Sequence, residues 1–173
     1  MIDTALFDNE FKWNLLCAFE NIEKATDGVL INSENFQALN LLSSRYQQKI
    51  DYIYADPPYN TEGNEILYKN NFKHSSWLTL VADRLILIKN MLANAGIVTI
   101  AIDYAEQERL GLILEQIFDV YNKELITVRH NPRGQQGGNF MKTHEYAYFI
   151  YPMDGRSHIG RKERVKPDER ILR

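Results

Sequence analysis

The chain has 173 residues, of which 45% are hydrophobic and 25% are charged. This is the composition of one globular domain that can bury a sizeable core, and it excludes a disordered or fibrous protein. The net charge of −3 argues against a surface that binds nucleic acid over its whole extent. The single cysteine, Cys17, excludes a disulfide framework and a cysteine-rich metal site, and its apolar helical setting predicts a plain core thiol.

The sequence contains neither a signal-peptide pattern nor an apolar run of membrane-spanning length, so we expect a cytoplasmic protein without membrane contact. The charge is unevenly distributed. Residues 154–173 contain seven Lys/Arg and four Asp/Glu, a local charge of +3, which leaves −6 on the first 153 residues. An acidic body with a basic tail fits contact with a polyanion at one edge, although a solvated tail is the commoner explanation.

Apolar residues recur at helical spacing in four stretches and form short runs typical of strands in five others. The predicted helices are residues 4–20, 34–44, 76–93 and 104–118. The predicted strands are residues 28–32, 50–55, 97–102, 124–130 and 144–151. This alternation predicts an α/β fold built from βαβ units, with a mostly parallel sheet, helices on both faces and antiparallel strands at the end.

The predicted strand 50–55 ends in Asp56-Pro57-Pro58-Tyr59. Because proline has no N–H group and a fixed φ, two prolines in succession make a stiff loop that cannot continue a central strand. Ligands of open α/β sheets bind at the carboxyl ends of the strands, where this loop lies. A structural turn is the alternative, but the position favours a functional loop.

The residue types of this loop suit a planar base that carries an amino group. The Asp56 carboxylate and the Pro57 carbonyl are two acceptors at a fixed separation, and they suit a group with two N–H donors, such as adenine N6 or cytosine N4. The ring of Tyr59 offers a face for stacking, which contributes about 1–3 kcal/mol per base in nucleic-acid sites. The sequence therefore predicts a clamp for such a base.

Four stretches resemble the amino-group DNA methyltransferases. The stretch YADPPYNTEGNE closely resembles their Asp-Pro-Pro-Tyr signature, and GVLINSENFQALNLL resembles the segment with a Gly-Asp-Asn-type turn that precedes it. Residues 68–110 and the stretch KTHEYAYFIY resemble later blocks in the same order. Over residues 28–151 the chain therefore resembles the modification subunit of a type III restriction–modification system.

The resemblance implies a Rossmann-like fold and transfer of a methyl group from S-adenosylmethionine to N6 of a flipped-out adenine. It implies Asp56, Pro57, Pro58 and Tyr59 as catalytic residues, and no metal, since the sulfonium is already a good leaving group. Double-stranded DNA, a restriction (translocase) subunit and, in the full-length enzyme, a second copy are the implied partners. A cytosine-N4 enzyme and an inactive module that binds DNA or a subunit are the alternatives.

One family element is missing from these residues, namely the Phe-x-Gly-x-Gly turn that is the principal cofactor motif. We therefore expect an incomplete methyltransferase fold that is inactive alone. Its expected parts are an N-terminal helical segment (1–27), a partial catalytic core (28–153) and a basic tail (154–173) that begins the target-recognition region.

Further candidate residues follow from the resemblance and from local pattern. Ser33, Glu34 and Asn35 occupy the Gly-Asp-Asn-type turn and, with Asp56, are the expected cofactor contacts, although a helix N-cap explains the turn equally well. Similarly, Asp103 and Glu106 resemble a capping box at the start of the next helix. The expected base- or DNA-binding residues, for which ordinary polar loops are the alternative, are Asn60, Thr61, Arg133, Phe140 and Lys142.

Overall fold

A computed structural model of the chain describes residues 3–61, 74–129 and 142–153. The chain divides into two units, Met1–Glu34 and Asn35–Arg173. Among the described residues, no helix combines the length and the apolar character needed to cross a membrane. The predicted basic tail at 154–173 lies outside the described residues.

The first unit contains a 3-10 turn, Thr4–Leu6, and the helices α1, Asn9–Cys17, and α2, Ile22–Ala25. The continuous helix predicted over 4–20 is wrong, because Asp8 has an extended backbone and caps α1 by accepting from the Phe11 N–H at 2.8 Å. Cys17 is exposed, so the predicted core thiol is also wrong. The strand predicted at 28–32 does not form, since these residues have no ladder partner in the described chain, and Leu30 is 99% exposed.

The second unit is built on a four-stranded sheet. Its strands are β1, Ile50–Ala55; β2, Leu92–Ile102; β3, Tyr121–Arg129; and β4, His144–Pro152. Their order is β1-β2-β4-β3. The β1–β2 pair is parallel and the β2–β4 and β4–β3 pairs are antiparallel. The described sheet is therefore mixed and not mostly parallel as predicted, and the predicted antiparallel strands form its end.

Three helices accompany this sheet: α3, Asn35–Ser43; α4, His74–Met91; and α5, Gln107–Ile117. The helices predicted at 34–44, 76–93 and 104–118 are confirmed, with ends that differ by up to three residues. Because α4 connects the parallel strands β1 and β2, the three elements form the predicted βαβ unit.

The core lies on one face of the sheet. Val98, Ile100 and Ile102 alternate along β2 and are buried in one cluster with apolar residues of α4 and α5. Successive side chains of a strand point to opposite faces, so Thr99 and Ala101 belong to the other face. One face of β2 therefore packs in the core, and the other face, with Thr99 and Ala101, borders the candidate site.

Gly96 is buried where β2 passes the start of β1. A Cβ at this position would lie 2.8 Å from the Ile50 carbonyl oxygen and 2.6 Å from Leu92 Cδ1. The register between the two strands is irregular here, since Ile50 pairs with Leu92 and Tyr52 with Ile97. The close backbone approach requires glycine.

Gly96→Ala is expected to lower the free energy of unfolding by about 1–3 kcal/mol, because the added methyl group must displace backbone. Urea unfolding followed by circular dichroism measures the effect. Gly28→Ala is the matched control, because its Cβ would meet no atom within 4 Å. Equal unfolding free energies for the two variants would contradict the close approach at Gly96.

Candidate active site

The Asp-Pro-Pro-Tyr loop leaves the sheet at the carboxyl end of β1. Asp56 follows Ala55 directly, and Ala55 pairs with Ile100 of the parallel strand β2. The Asp56 side chain is exposed, whereas Tyr59, Asn60 and the following Thr61 are half-buried. The structure thus places an accessible carboxylate where α/β sheets bind their ligands.

Trp77 anchors the second proline of the loop. Its side chain is fully buried in the first turns of α4, and its indole Nε1–H donates to the Pro58 carbonyl oxygen at 2.7 Å. A buried indole N–H needs an acceptor, and this contact supplies one from a residue 19 positions earlier. The Pro58 carbonyl is therefore occupied in holding the loop.

Asn60 is anchored by a second buried group. Its backbone has a φ of 56°, in the left-handed region that asparagine tolerates better than most residues. Its Nδ2–H donates to Glu106 Oε1 at 2.6 Å, and Glu106 is 0% exposed. His74 Nδ1 lies 2.7 Å from the same oxygen, and Arg109 Nη1 lies 3.5 Å from Oε2.

Tyr59, between the two anchored residues, contacts the catalytic candidate itself. Its side chain packs against the core cluster and forms a hydrogen bond with Asp56. Burial in the first place, and then this hydrogen bond and the charge of Asp56, raise the pKa of Tyr59 above its usual range. The phenol therefore stays protonated and donates to the Asp56 carboxylate, which orients that carboxylate.

A groove of about 1030 Å³ runs from this loop along the face of the sheet that carries Thr99 and Ala101. Tyr52, Tyr54 and Phe149 give it aromatic walls, and Asp56 and Glu145 give it two carboxylates. The Tyr52 hydroxyl is held by Thr99 Oγ1 at 3.0 Å. Volumes of this size and apolar walls with few polar groups are typical of sites for small molecules and cofactors.

The profile of the family described as DNA methylase (N6_N4_Mtase) matches residues 50–170, which include this loop and all four described strands. The chain belongs to the DNA methylase family. Its curated relatives include a protein named "Probable type III restriction-modification enzyme HindVI Mod subunit" from Haemophilus influenzae, with 34% identity over 70% of this chain and 17% of that protein. They also include the type II methyltransferase M.KpnI from Klebsiella pneumoniae, with 30% identity over 96% of this chain and 41% of that protein.

Solved structures support the fold of this DNA methylase chain. The structure of TTHA0409, a candidate DNA modification methylase from Thermus thermophilus, matches with a TM-score of 0.50 and 12% identity. The match covers 77% of this chain and 54% of that one. The predicted Rossmann-like α/β fold is therefore confirmed. The chain spans less than half the length of both curated relatives described above.

The predicted cofactor residues lie in two different units of the methylase chain. Ser33 and Glu34 close the first unit, and Asn35 begins α3 in the second. The Asn35 side-chain oxygen accepts from Arg84 Nε, and Asn35 lines the groove with Asp56. The structure thus brings Asn35 and Asp56 to one groove, and their cofactor contacts stay predictions.

The predicted base- and DNA-binding residues are only partly described. Thr61 lines the groove, whereas the Asn60 side chain turns to Glu106. The Lys142 ammonium lies over the ring of Tyr104, near the carboxyl end of β2, in a cation–π arrangement. Arg133 and Phe140 lie outside the described residues, so their roles stay predictions.

The capping box predicted for Asp103 and Glu106 is wrong. The helix α5 begins at Gln107, and the Glu106 side chain makes no cap hydrogen bond because it turns inward to Asn60 and His74. Glu106 lies four and eight residues before the buried Leu110 and Leu114, so helical spacing indicates that Glu106 is buried too. Trp77 likewise lies four and eight residues before the buried Val81 and Leu85. Helical spacing therefore indicates that Trp77 is buried, but it does not show that its indole N–H donates to Pro58.

Trp77→Phe is expected to lower the free energy of unfolding by about 1–3 kcal/mol, because it removes the donor to Pro58 and leaves a small cavity. Urea unfolding monitored by circular dichroism measures the loss. Trp13→Phe is the matched control, since Trp13 is 67% exposed on α1. A Trp77→Phe variant as stable as Trp13→Phe would show that the indole does not hold the loop.

Tyr59→Phe is expected to flatten the alkaline decline of stability. Because the pKa of Tyr59 is raised in the folded chain, its contribution is fully present below pH ~10, the ordinary tyrosine value, and is lost as the pH rises further. Unfolding free energies of both proteins between neutral and strongly alkaline pH measure the difference. Tyr104→Phe, at an exposed position, should decline as the wild type does, and a Tyr59→Phe curve parallel to wild type would contradict the assignment.

Proposed function

We propose that this chain carries the catalytic loop of an S-adenosylmethionine-dependent DNA methyltransferase that modifies adenine N6 in a restriction–modification system. The observation that supports it most directly is the loop at the carboxyl end of β1. There the exposed Asp56 carboxylate, oriented by Tyr59, adjoins a groove large enough for a base and a cofactor. Membership in the DNA methylase family supports the same chemistry.

In this proposal the Asp56 carboxylate and the Pro57 carbonyl accept hydrogen bonds from the two N–H groups of the adenine amino group. Two acceptors in the plane of the amino group direct the nitrogen lone pair toward the methyl carbon. As the N–C bond forms, the S–CH3 bond breaks and its electron pair stays on sulfur. The amino nitrogen then releases one proton, which Asp56 guides toward solvent because its side chain is exposed.

Tyr59 has two tasks in this arrangement. Its ring offers the stacking face for the flipped base, and its hydroxyl fixes the Asp56 carboxylate. The two tasks are compatible, since a phenol donates its hydrogen bond near the plane of the ring, whereas a base stacks on a face of the ring. The stiff Pro57-Pro58 backbone keeps both groups in place.

The groove has the chemistry that the methyl donor needs. S-adenosylmethionine supplies an electrophilic methyl group on a sulfonium cation. Asp56 and Glu145 bring negative charge to the groove, and Tyr52 and Tyr54 offer aromatic faces that attract cations. We assign Asn35 and Asp56 as its contacts in the groove, and Ser33 and Glu34 as contacts from the preceding turn.

We propose that a Phe-x-Gly-x-Gly turn encoded downstream completes the donor site, that residues 28–153 form part of the catalytic core, and that residues 154–173 begin the target-recognition region. This chain alone is then inactive. Double-stranded DNA is the proposed substrate. The relative named as a Mod subunit of a restriction-modification enzyme supports a restriction subunit as a partner, and a second copy in the full-length enzyme stays a prediction.

Asp56→Asn in a chain extended through that turn is expected to lower methyl transfer at least about 10²-fold, because the amide cannot accept from both amino N–H groups and cannot guide the proton. The measurement uses labelled S-adenosylmethionine and unmethylated genomic DNA, followed by nucleoside analysis. Asp51→Asn, at an exposed position of β1, is the matched control and should keep wild-type activity.

The nucleoside that carries the label decides between the candidate reactions. N6-methyladenine supports the proposal, and N4-methylcytosine would assign the same clamp to cytosine. An extended wild-type chain that binds DNA but transfers no methyl group would overturn the enzyme proposal in favour of a binding module. Methyl transfer by residues 1–173 alone would overturn the need for a downstream donor turn.

A further inference from the structure

Glu106 is a buried carboxylate that lies outside the groove yet is connected to the catalytic loop. It is 0% exposed and does not line the groove. It stands immediately before α5, where the helix dipole favours a negative charge. A buried carboxylate is costly unless it is paired, and Glu106 is paired with Asn60, His74 and Arg109.

We propose that Glu106 is a positioning residue that sets the geometry of Asp56 and Tyr59 through Asn60. This inference rests on the function proposed above, since it assigns a further residue to the same reaction. Glu106 contacts neither the base nor the methyl donor. Its effect passes through the hydrogen bond that Asn60 Nδ2 donates to Glu106 Oε1 at 2.6 Å.

The backbone of Asn60 explains why this tether matters. A φ of 56° is uncommon for a residue other than glycine, and it persists where surrounding contacts hold it. The hydrogen bond to Glu106 fixes the side chain and with it the left-handed turn. Both neighbours of Asn60 in the chain, Tyr59 and Thr61, line the groove, so a change in this turn would reach them directly.

The two anchors hold the residues on either side of Tyr59 in the chain. Trp77 holds the carbonyl of Pro58, and Glu106 holds the side chain of Asn60. Tyr59 lies between these two residues and donates to Asp56. A displacement of Asn60 therefore moves the phenol, and the phenol moves the carboxylate that accepts the amino group.

The test compares Glu106→Leu with Glu108→Leu, an exposed glutamate in the first turn of α5. In the extended, methyl-transferring protein, Glu106→Leu is expected to lower kcat per folded molecule about 10²-fold with little change in KM, because the reacting groups are misplaced. Glu106→Gln should recover much of the loss, since its amide oxygen still accepts from Asn60. Glu108→Leu should behave as wild type.

Asn60→Gly supplies the partner variant, because glycine keeps the positive φ without the tether. It should lower kcat similarly, and the double variant Asn60→Gly/Glu106→Leu should be no worse than the poorer single variant. Additive losses would mean that Glu106 acts by another route. If Glu106→Leu does not fold, Asn60→Gly decides alone, and wild-type kcat in that variant would overturn the proposal.

Amide hydrogen exchange in residues 56–61 separates this inference from the proposed function, because it needs no activity. Glu106→Leu and Asn60→Gly should exchange faster there than wild type, while Glu108→Leu should not. Unchanged exchange would overturn the positioning role even in an active enzyme. If these two variants exchange faster but the extended wild-type protein transfers no methyl group, the anchoring of the loop by Glu106 is supported and the proposed function is overturned.

Discussion

Two consecutive prolines after β1 impose the constraint that organises this site. Pro57 and Pro58 stiffen the loop, but they also remove two backbone N–H groups that could have tied it to the rest of the domain. Side chains must therefore hold the loop, and Trp77 and Glu106 do so at 2.7 and 2.6 Å. Rigidity within the loop comes from the prolines, and its placement comes from α4 and α5.

The anchors belong to the same helices that fill the core. Trp77 opens the buried stripe of α4, and Glu106 precedes the buried stripe of α5. A change in helix packing would therefore reach the Asp56 carboxylate through one hydrogen bond at each anchor. Stability and site geometry are coupled in this fold, which is why the experiments must separate loss of folded protein from loss of rate per folded molecule.

Local sequence pattern predicts much of this domain and fails for identifiable reasons. The strand β1, the helix α4 and the loop at Asp56 follow from apolar spacing and proline chemistry, which are properties of neighbouring residues. The hydrogen bond between Asn60 and Glu106 joins residues 46 positions apart. Local pattern at Glu106 favours a capping box, and only the tertiary fold shows that the half-buried Asn60 side chain competes for the carboxylate. The strand predicted at 28–32 does not form for a similar reason. Its apolar residues suit a strand, but they do not show whether another strand lies beside it to pair with.

The charge of the site suggests how DNA would meet it. The groove contains the carboxylates of Asp56 and Glu145, and residues 1–153 carry a net charge of −6, so this surface repels a phosphate backbone. A neutral base escapes that repulsion, whereas the phosphates on either side of it do not. Under the proposed function the base must therefore leave the helix and enter the groove alone. On the same proposal, cations outside the groove, such as Lys142 near Tyr104, would meet the backbone, and the acidic groove would attract the sulfonium of the methyl donor.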